Sequence, residues 1–286
     1  MHGMTRLLLT AALAILTAGA SVAPAAAEGT LDRIRQSGEI RLAYRADAAP
    51  FSFVKDGVPA GYSVELCRIV ADALKSALAL DALQVSFVEV SAADRFAALA
   101  EDRADLLCEA TTATLARREA MDFSIPTYVS GAGMVIRPDG PASVEDFSGR
   151  KLGVLGGTTT ERDIKALLAG ENIQAELKVA KSHDEGFSWL RAGEVSAYFG
   201  DRAILEERLR AETQAGDLLL ADQYLTIEPY GLAMRIDAEF RLAVDRALSH
   251  LFRSGGMIKV FRKSVDPQAK PSELLKALSR MSGLPE

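Results

Sequence analysis

Apolar and polar positions along this chain follow two rhythms, one of period two and one of helical spacing. Short apolar or alternating runs predict strands at 39–44, 83–90 and 104–110. Apolar residues three and four apart predict a helix over 63–77, with Val64, Cys67, Val70, Ala71 and Leu74 on one face. Shorter helical stretches read at 95–102 and 115–120. The pattern then restarts, with strands at 151–155, 175–180, 195–199 and 218–221 and helices at 159–168, 183–192 and 202–213. Strands alternating with helices imply parallel sheets covered by helices, so the fold class is α/β. Two such series, each of ordinary domain size, imply two lobes.

Two segments, 128–137 and 228–235, mix strand-prone residues with glycine and read as bridges between the lobes. Helices at 238–253 and 257–263 follow the second bridge. The order is explained by a discontinuous first lobe, 28–131 with 232–265, around a second lobe at 132–231. Residues 266–286 carry Pro267 and Pro271 and then an amphipathic run at 272–281. They read as a tail that packs loosely or carries a separate contact.

The N-terminus departs from this pattern. Residues 1–6 hold one cation, Arg6, and residues 7–23 are almost wholly apolar and small. Ala25, Ala26 and Ala27 then supply a small-x-small site before Glu28. This layout predicts a secretory signal peptide cleaved after Ala27. The alternative, a membrane anchor, suits the short apolar part and its weak flanks less well. Export to the periplasm places Cys67 and Cys108 in an oxidising compartment, where a disulfide joining them is preferred to two buried thiols. The cysteines lie far apart and the chain has only three histidines, one of them in the leader, so no metal site is expected.

Composition narrows the partners. The net charge is −6 and there is no long Lys/Arg run, which argues against nucleic acid. Gly156-Gly157 lacks the GxxxxGK spacing, so a nucleotide site is rejected and no cofactor is expected.

In open α/β sheets ligands bind beyond the carboxyl ends of the strands. Those positions are polar throughout: Arg45; Ser91 and Arg95; Thr111, Thr112 and, one turn on, Arg117; Thr158, Thr159 and Thr160; Ser182 and His183; and Asp201. A guanidinium is a permanent cation whose fork matches a carboxylate. Three of them suggest an anion or a ligand with more than one negative group. Asp201 suits an ammonium group. Each residue also has an ordinary alternative. Arg45, Arg95 and Arg117 suit a solvated surface too, Thr158 with Glu161 and Ser182 with Glu185 suit helix capping, and Asp201 suits a pair with Arg202.

Taken together, several stretches resemble the periplasmic amino-acid-binding proteins of ABC importers, bacterial solute-binding family 3. They are Pro50-Phe51-Ser52-Phe53 with Gly61-Tyr62-Ser63, Thr111-Thr112 followed by Arg117, Met121-Asp122-Phe123-Ser124, Gly157-Thr158-Thr159 and Glu228-Pro229-Tyr230-Gly231. The resemblance implies a type II periplasmic binding protein fold, two α/β lobes joined by two hinge strands. It implies a monomer that closes on one amino acid and docks on a membrane permease. It assigns the α-carboxylate to Arg117 with Thr112, the α-ammonium to Asp201, and a second-lobe contact to Thr158 and Thr159. Arg45, Arg95 and His183 fall where receptors for glutamate and aspartate carry added cations, so the implied ligand is an acidic amino acid. The chain departs from that pattern at Ala92 and Ala110, where serine is usual, and at Glu109, where glycine is usual. Two other readings share the fold. One is a cyclohexadienyl dehydratase-like enzyme, with Glu109 and His183 as its candidate proton-transfer groups. The other is a sensor receptor.

Overall fold

The computed structural model describes residues 29–141, 143–211, 217–265, 268 and 270–285. The expected leader at 1–27 lies outside them.

Two five-stranded sheets form the centres of the two lobes. In the first, the order is Gln84–Glu89, Glu39–Tyr44, Leu106–Leu107, Ala233–Met234 and Asp122–Phe123. In the second it is Glu176–Ala180, Lys151–Leu155, Ala197–Asp201, Ala132–Ile136 and Leu219–Leu220. The strands predicted from alternation are parallel, with Glu39 opposite Gln84 and Lys151 opposite Glu176. The sheets are nevertheless mixed. Ala132–Ile136 enters its sheet from a bridge and runs antiparallel, as does Ala233–Met234 in the other. A chain crossing from one lobe arrives against the direction set by the βαβ units, which is why alternation alone misses this reversal.

The bridges pair with each other. Tyr128–Ser130 lies antiparallel to Glu228–Tyr230, with Tyr128 opposite Tyr230. These are the two hinge strands. Phe51, Tyr62, Tyr128 and Tyr230 form an aromatic cluster beside them, with ring centres 4.8 to 6.3 Å apart.

The helix Tyr62–Ala77 buries the expected face, including Val64, Cys67, Val70, Ala71 and Leu74. The Cys67–Cys108 disulfide ties it to the segment after Leu106–Leu107, across 41 residues of sequence. Closing a loop of that size in the unfolded chain contributes about 2–4 kcal/mol. It also fixes the backbone next to Glu109.

Two features lie outside the sequence reading, and a third settles a choice it left open. Thr30–Ser37 is a helix. Asp47–Ala48, Ser52–Lys55 and Val58–Ala60 form a small antiparallel sheet of their own. The C-terminal stretch does not pack loosely. Glu273–Ser282 is a helix whose Leu275 is 2% exposed and joins the first lobe's core. The Ser249 hydroxyl donates to the Ser282 carbonyl (3.2 Å), and the Ser282 hydroxyl to the Pro126 carbonyl (3.1 Å). Burying one apolar stripe is enough to hold a short amphipathic helix in place.

Candidate functional site

Polar residues from the carboxyl ends of both sheets meet between the lobes. On the first lobe, Glu39–Tyr44 delivers Arg45, and the start of Arg95–Ala100 delivers Arg95. Both side chains are buried, at 2% exposure, and both meet Glu109. Arg45 Nη1 donates to Glu109 Oε2 at 3.3 Å, and Arg95 Nε lies 3.2 Å from Glu109 Oε1. The Thr111 hydroxyl donates to the same carboxylate. Asp47 takes the other edge of Arg45, with Oδ1 at 2.9 Å from Nε and 2.7 Å from Nη2. Arg95 Nη2 reaches the second lobe and donates to the Gly157 carbonyl at 3.1 Å.

Arg117 is held differently. Thr114 caps the turn Leu115–Arg118 by accepting the Arg117 amide. The guanidinium then donates to the Thr112 carbonyl at 2.7 Å and lies 4.9 Å from the centre of the Phe96 ring. Arg95 lies 4.8 Å from the same ring. Cation–π contact thus aligns two guanidiniums on one aromatic support. Among the described residues no carboxylate comes within ion-pair distance of Arg117. Burial, helped by the nearby Arg95 charge, pushes it down to about 10, so it remains a cation at neutral pH.

Asp201 closes the strand Ala197–Asp201 on the second lobe. It does not pair with Arg202, whose Nη1 donates to the Ala221 carbonyl. Its only described side-chain partner is the Tyr230 hydroxyl, which donates to Oδ1. Burial, reinforced by the Glu228 carboxylate, pushes the Asp201 carboxyl up to about 7. A carboxylate in that position is short of a cation.

Glu228, on a hinge strand, binds the lobes together. It accepts from the Thr112 hydroxyl, the Thr159 hydroxyl at 2.6 Å and the Thr226 hydroxyl at 2.8 Å. Thr112 and Thr159, from opposite lobes, have hydroxyls 3.4 Å apart. Thr112 also forms a backbone bridge with Tyr230, which brings Arg117's anchor next to Asp201's partner.

His183 starts the helix His183–Arg191, capped by Ser182, and is buried. Its amide donates to Asp47 Oδ2 at 3.4 Å, between the lobes. Nδ1 lies 3.1 Å from the Tyr198 hydroxyl, while Nε2 is buried without a hydrogen-bond partner among the described residues. Burial and the Arg45 charge push the ring down to about 3, so it is neutral at pH 7.

Of the residues expected at the site, Arg45, Arg95, Thr112, Arg117, Thr159, His183 and Asp201 belong to this connected network. Thr158 does not: its hydroxyl donates to the Leu155 carbonyl (2.8 Å) and accepts from the Glu161 amide (3.1 Å), so it is consumed in capping Thr159–Gly170. Phe96, Asp47 and Glu228 are additions. The Glu-Pro-Tyr-Gly stretch and the acid two residues after Arg45 were visible signals for the last two.

The family model for bacterial extracellular solute-binding proteins, family 3, matches residues 40–266. The chain is 31% identical to the L-glutamate/L-aspartate-binding protein of Pseudomonas aeruginosa, over 90% of this chain and 86% of that one. It is 28% identical to the glutamate/aspartate import solute-binding protein of Escherichia coli, over 93% and 89%. Among solved structures it resembles the ancestral amino acid-binding protein AncCDT-1, a precursor of cyclohexadienyl dehydratase. The TM-score is 0.71 and the identity 26%, covering 83% of this chain and 99% of that one. A two-lobed α/β fold with paired hinge strands, and a family match along most of its length, place this chain in the bacterial extracellular solute-binding proteins, family 3.

Proposed function

We propose that the protein captures a polar amino acid with an acidic side chain, glutamate or aspartate, between its lobes. It then presents the closed form to the membrane permease of an ABC importer. One observation carries the reading: among the described residues, Arg117 on one lobe has no acid in ion-pair contact, and Asp201 on the other has no cation in ion-pair contact. A free α-amino acid supplies both missing charges at once. Thr112 and Thr159 supply hydroxyls beside them. The proposal also keeps the division into 28–131 with 232–265, 132–231 and a C-terminal extension, export to the periplasm with removal of residues 1–27, and action as a monomer.

A reading as a binding protein without chemistry is favoured over the dehydratase reading. Dehydration of a cyclic acid needs a group that gives up a proton to the departing oxygen. Of the two groups that reading names, His183 carries no second proton at neutral pH, and Glu109 is braced by two guanidiniums. Calorimetric titration with L-glutamate and L-aspartate is expected to show saturable binding, and prephenate or arogenate to give no product. Silence with both acids while an apolar amino acid binds would overturn the ligand assignment, and product formation would overturn the rest.

A further inference from the structure

Resting on the amino-acid reading above, we infer that Glu109 is a built-in substitute for a ligand's side-chain carboxylate, so that the cleft also accepts the amide amino acids glutamine and asparagine. The charges assign it that part. Beyond the α-group positions, the side-chain end of the cleft has two guanidiniums, Arg45 and Arg95, and two carboxylates, Asp47 and Glu109. Each guanidinium already lies within ion-pair distance of an acid, while Arg45 Nη2 and Arg95 Nε are buried without a hydrogen bond among the described residues. Glu109 is 1% exposed and has both oxygens occupied, one by Arg45 and the other by Arg95 with Thr111. Glu109 therefore offsets part of the attraction that Arg45 and Arg95 give a ligand's side-chain carboxylate, which narrows its advantage over a neutral side chain such as a carboxamide.

The donors and acceptors suit an amide. The Tyr198 hydroxyl has no other acceptor among the described residues, so we assign it as donor to His183 Nδ1; the ring proton then sits on Nε2, a buried group without a hydrogen-bond partner among the described residues. An amide oxygen accepts from such a group. An amide nitrogen donates to a carboxylate, and Asp47, whose Oδ2 receives, among the described residues, only the His183 amide at 3.4 Å, has capacity left. Specificity is a difference between two affinities, and here one acid sets it.

The test is calorimetric titration of the wild-type chain and Glu109→Gln with L-glutamate and L-glutamine. Glutamine keeps the volume and the Thr111 contact while freeing one unit of positive charge. In the wild type, glutamine is expected to bind within tenfold of glutamate or more tightly. In the variant, the ratio of affinities is expected to move at least tenfold toward glutamate. A wild-type preference for glutamate beyond tenfold, or a smaller shift in the variant, overturns the role of Glu109 and leaves the amino-acid reading standing. Silence of the wild type with both ligands overturns the acidic-ligand reading as well. If Glu109→Gln does not fold, Asp47→Asn, at a partly exposed acid on the same arginine, is expected to move the ratio at least threefold in the same direction. No movement there is equally fatal.

Discussion

Arg117→Ala is expected to abolish binding of every α-amino acid while leaving the fold intact. The loss follows from the solvation of the two ends of the interaction. A ligand carboxylate entering the cleft leaves water and is compensated by a guanidinium already aimed by Thr112 and Phe96. Removing that cation leaves the carboxylate buried and unpaired, at a cost of about 3–5 kcal/mol, or roughly 10²–10⁴-fold in affinity. The ligand-free protein has no ion pair to lose there. Its melting temperature is therefore expected to hold or rise, since burial already disfavours the charge. Wild-type affinity in calorimetry with the variant would remove Arg117 from its assigned part. A collapse of its melting temperature would mean that the arginine is structural.

Asp201→Asn carries the second large effect, and it separates function from stability. The folded-state pKa of Asp201 is about 7, above the usual carboxylate value of 3.8. The folded chain therefore holds this proton more tightly than the unfolded chain. Its contribution to stability is fully present below pH about 4 and is lost as pH rises through 7. At pH 8 the ionised group costs on the order of 2–4 kcal/mol in the empty protein. Asparagine removes that cost, so the variant is expected to melt higher than wild type at pH 8 and about equally at pH 4. Binding moves the other way. The ligand ammonium needs the ionised form, so wild-type affinity is expected to fall as pH drops below 7, by up to tenfold per unit. The variant should bind at least roughly 10²-fold more weakly, with that pH dependence gone. Equal melting at pH 8 together with unchanged affinity would contradict both halves.

Much of this was legible in the chain itself, because hydrophobic period reports burial directly. The face of Tyr62–Ala77 that meets the core is the face that its spacing marks. The polar positions after the strands also converge, because a parallel sheet places all such ends on one edge. What periodicity could not show is pairing. Arg45 and Arg95 read as free cations in sequence, yet they share Glu109, which comes 64 residues after Arg45. Glu228 read as part of a bridge, and only the folded hinge brings it against Thr112 and Thr159. The two-residue strands Leu106–Leu107 and Ala233–Met234 are too short to carry a period, and their direction depends on the crossover. Thr158 takes the capping role that its spacing to Glu161 also offered. A hydroxyl at a helix start has a local use that satisfies it before any ligand arrives.

The central claim is a clamp on the two α-groups of a zwitterion. Calorimetry with L-glutamate, with glutarate, which lacks the ammonium, and with 4-aminobutyrate, which lacks the α-carboxylate, tests it most directly. Binding of glutamate with at least roughly 10²-fold loss for each truncated analogue is the expected result. Glutarate or 4-aminobutyrate binding as tightly as glutamate would contradict it.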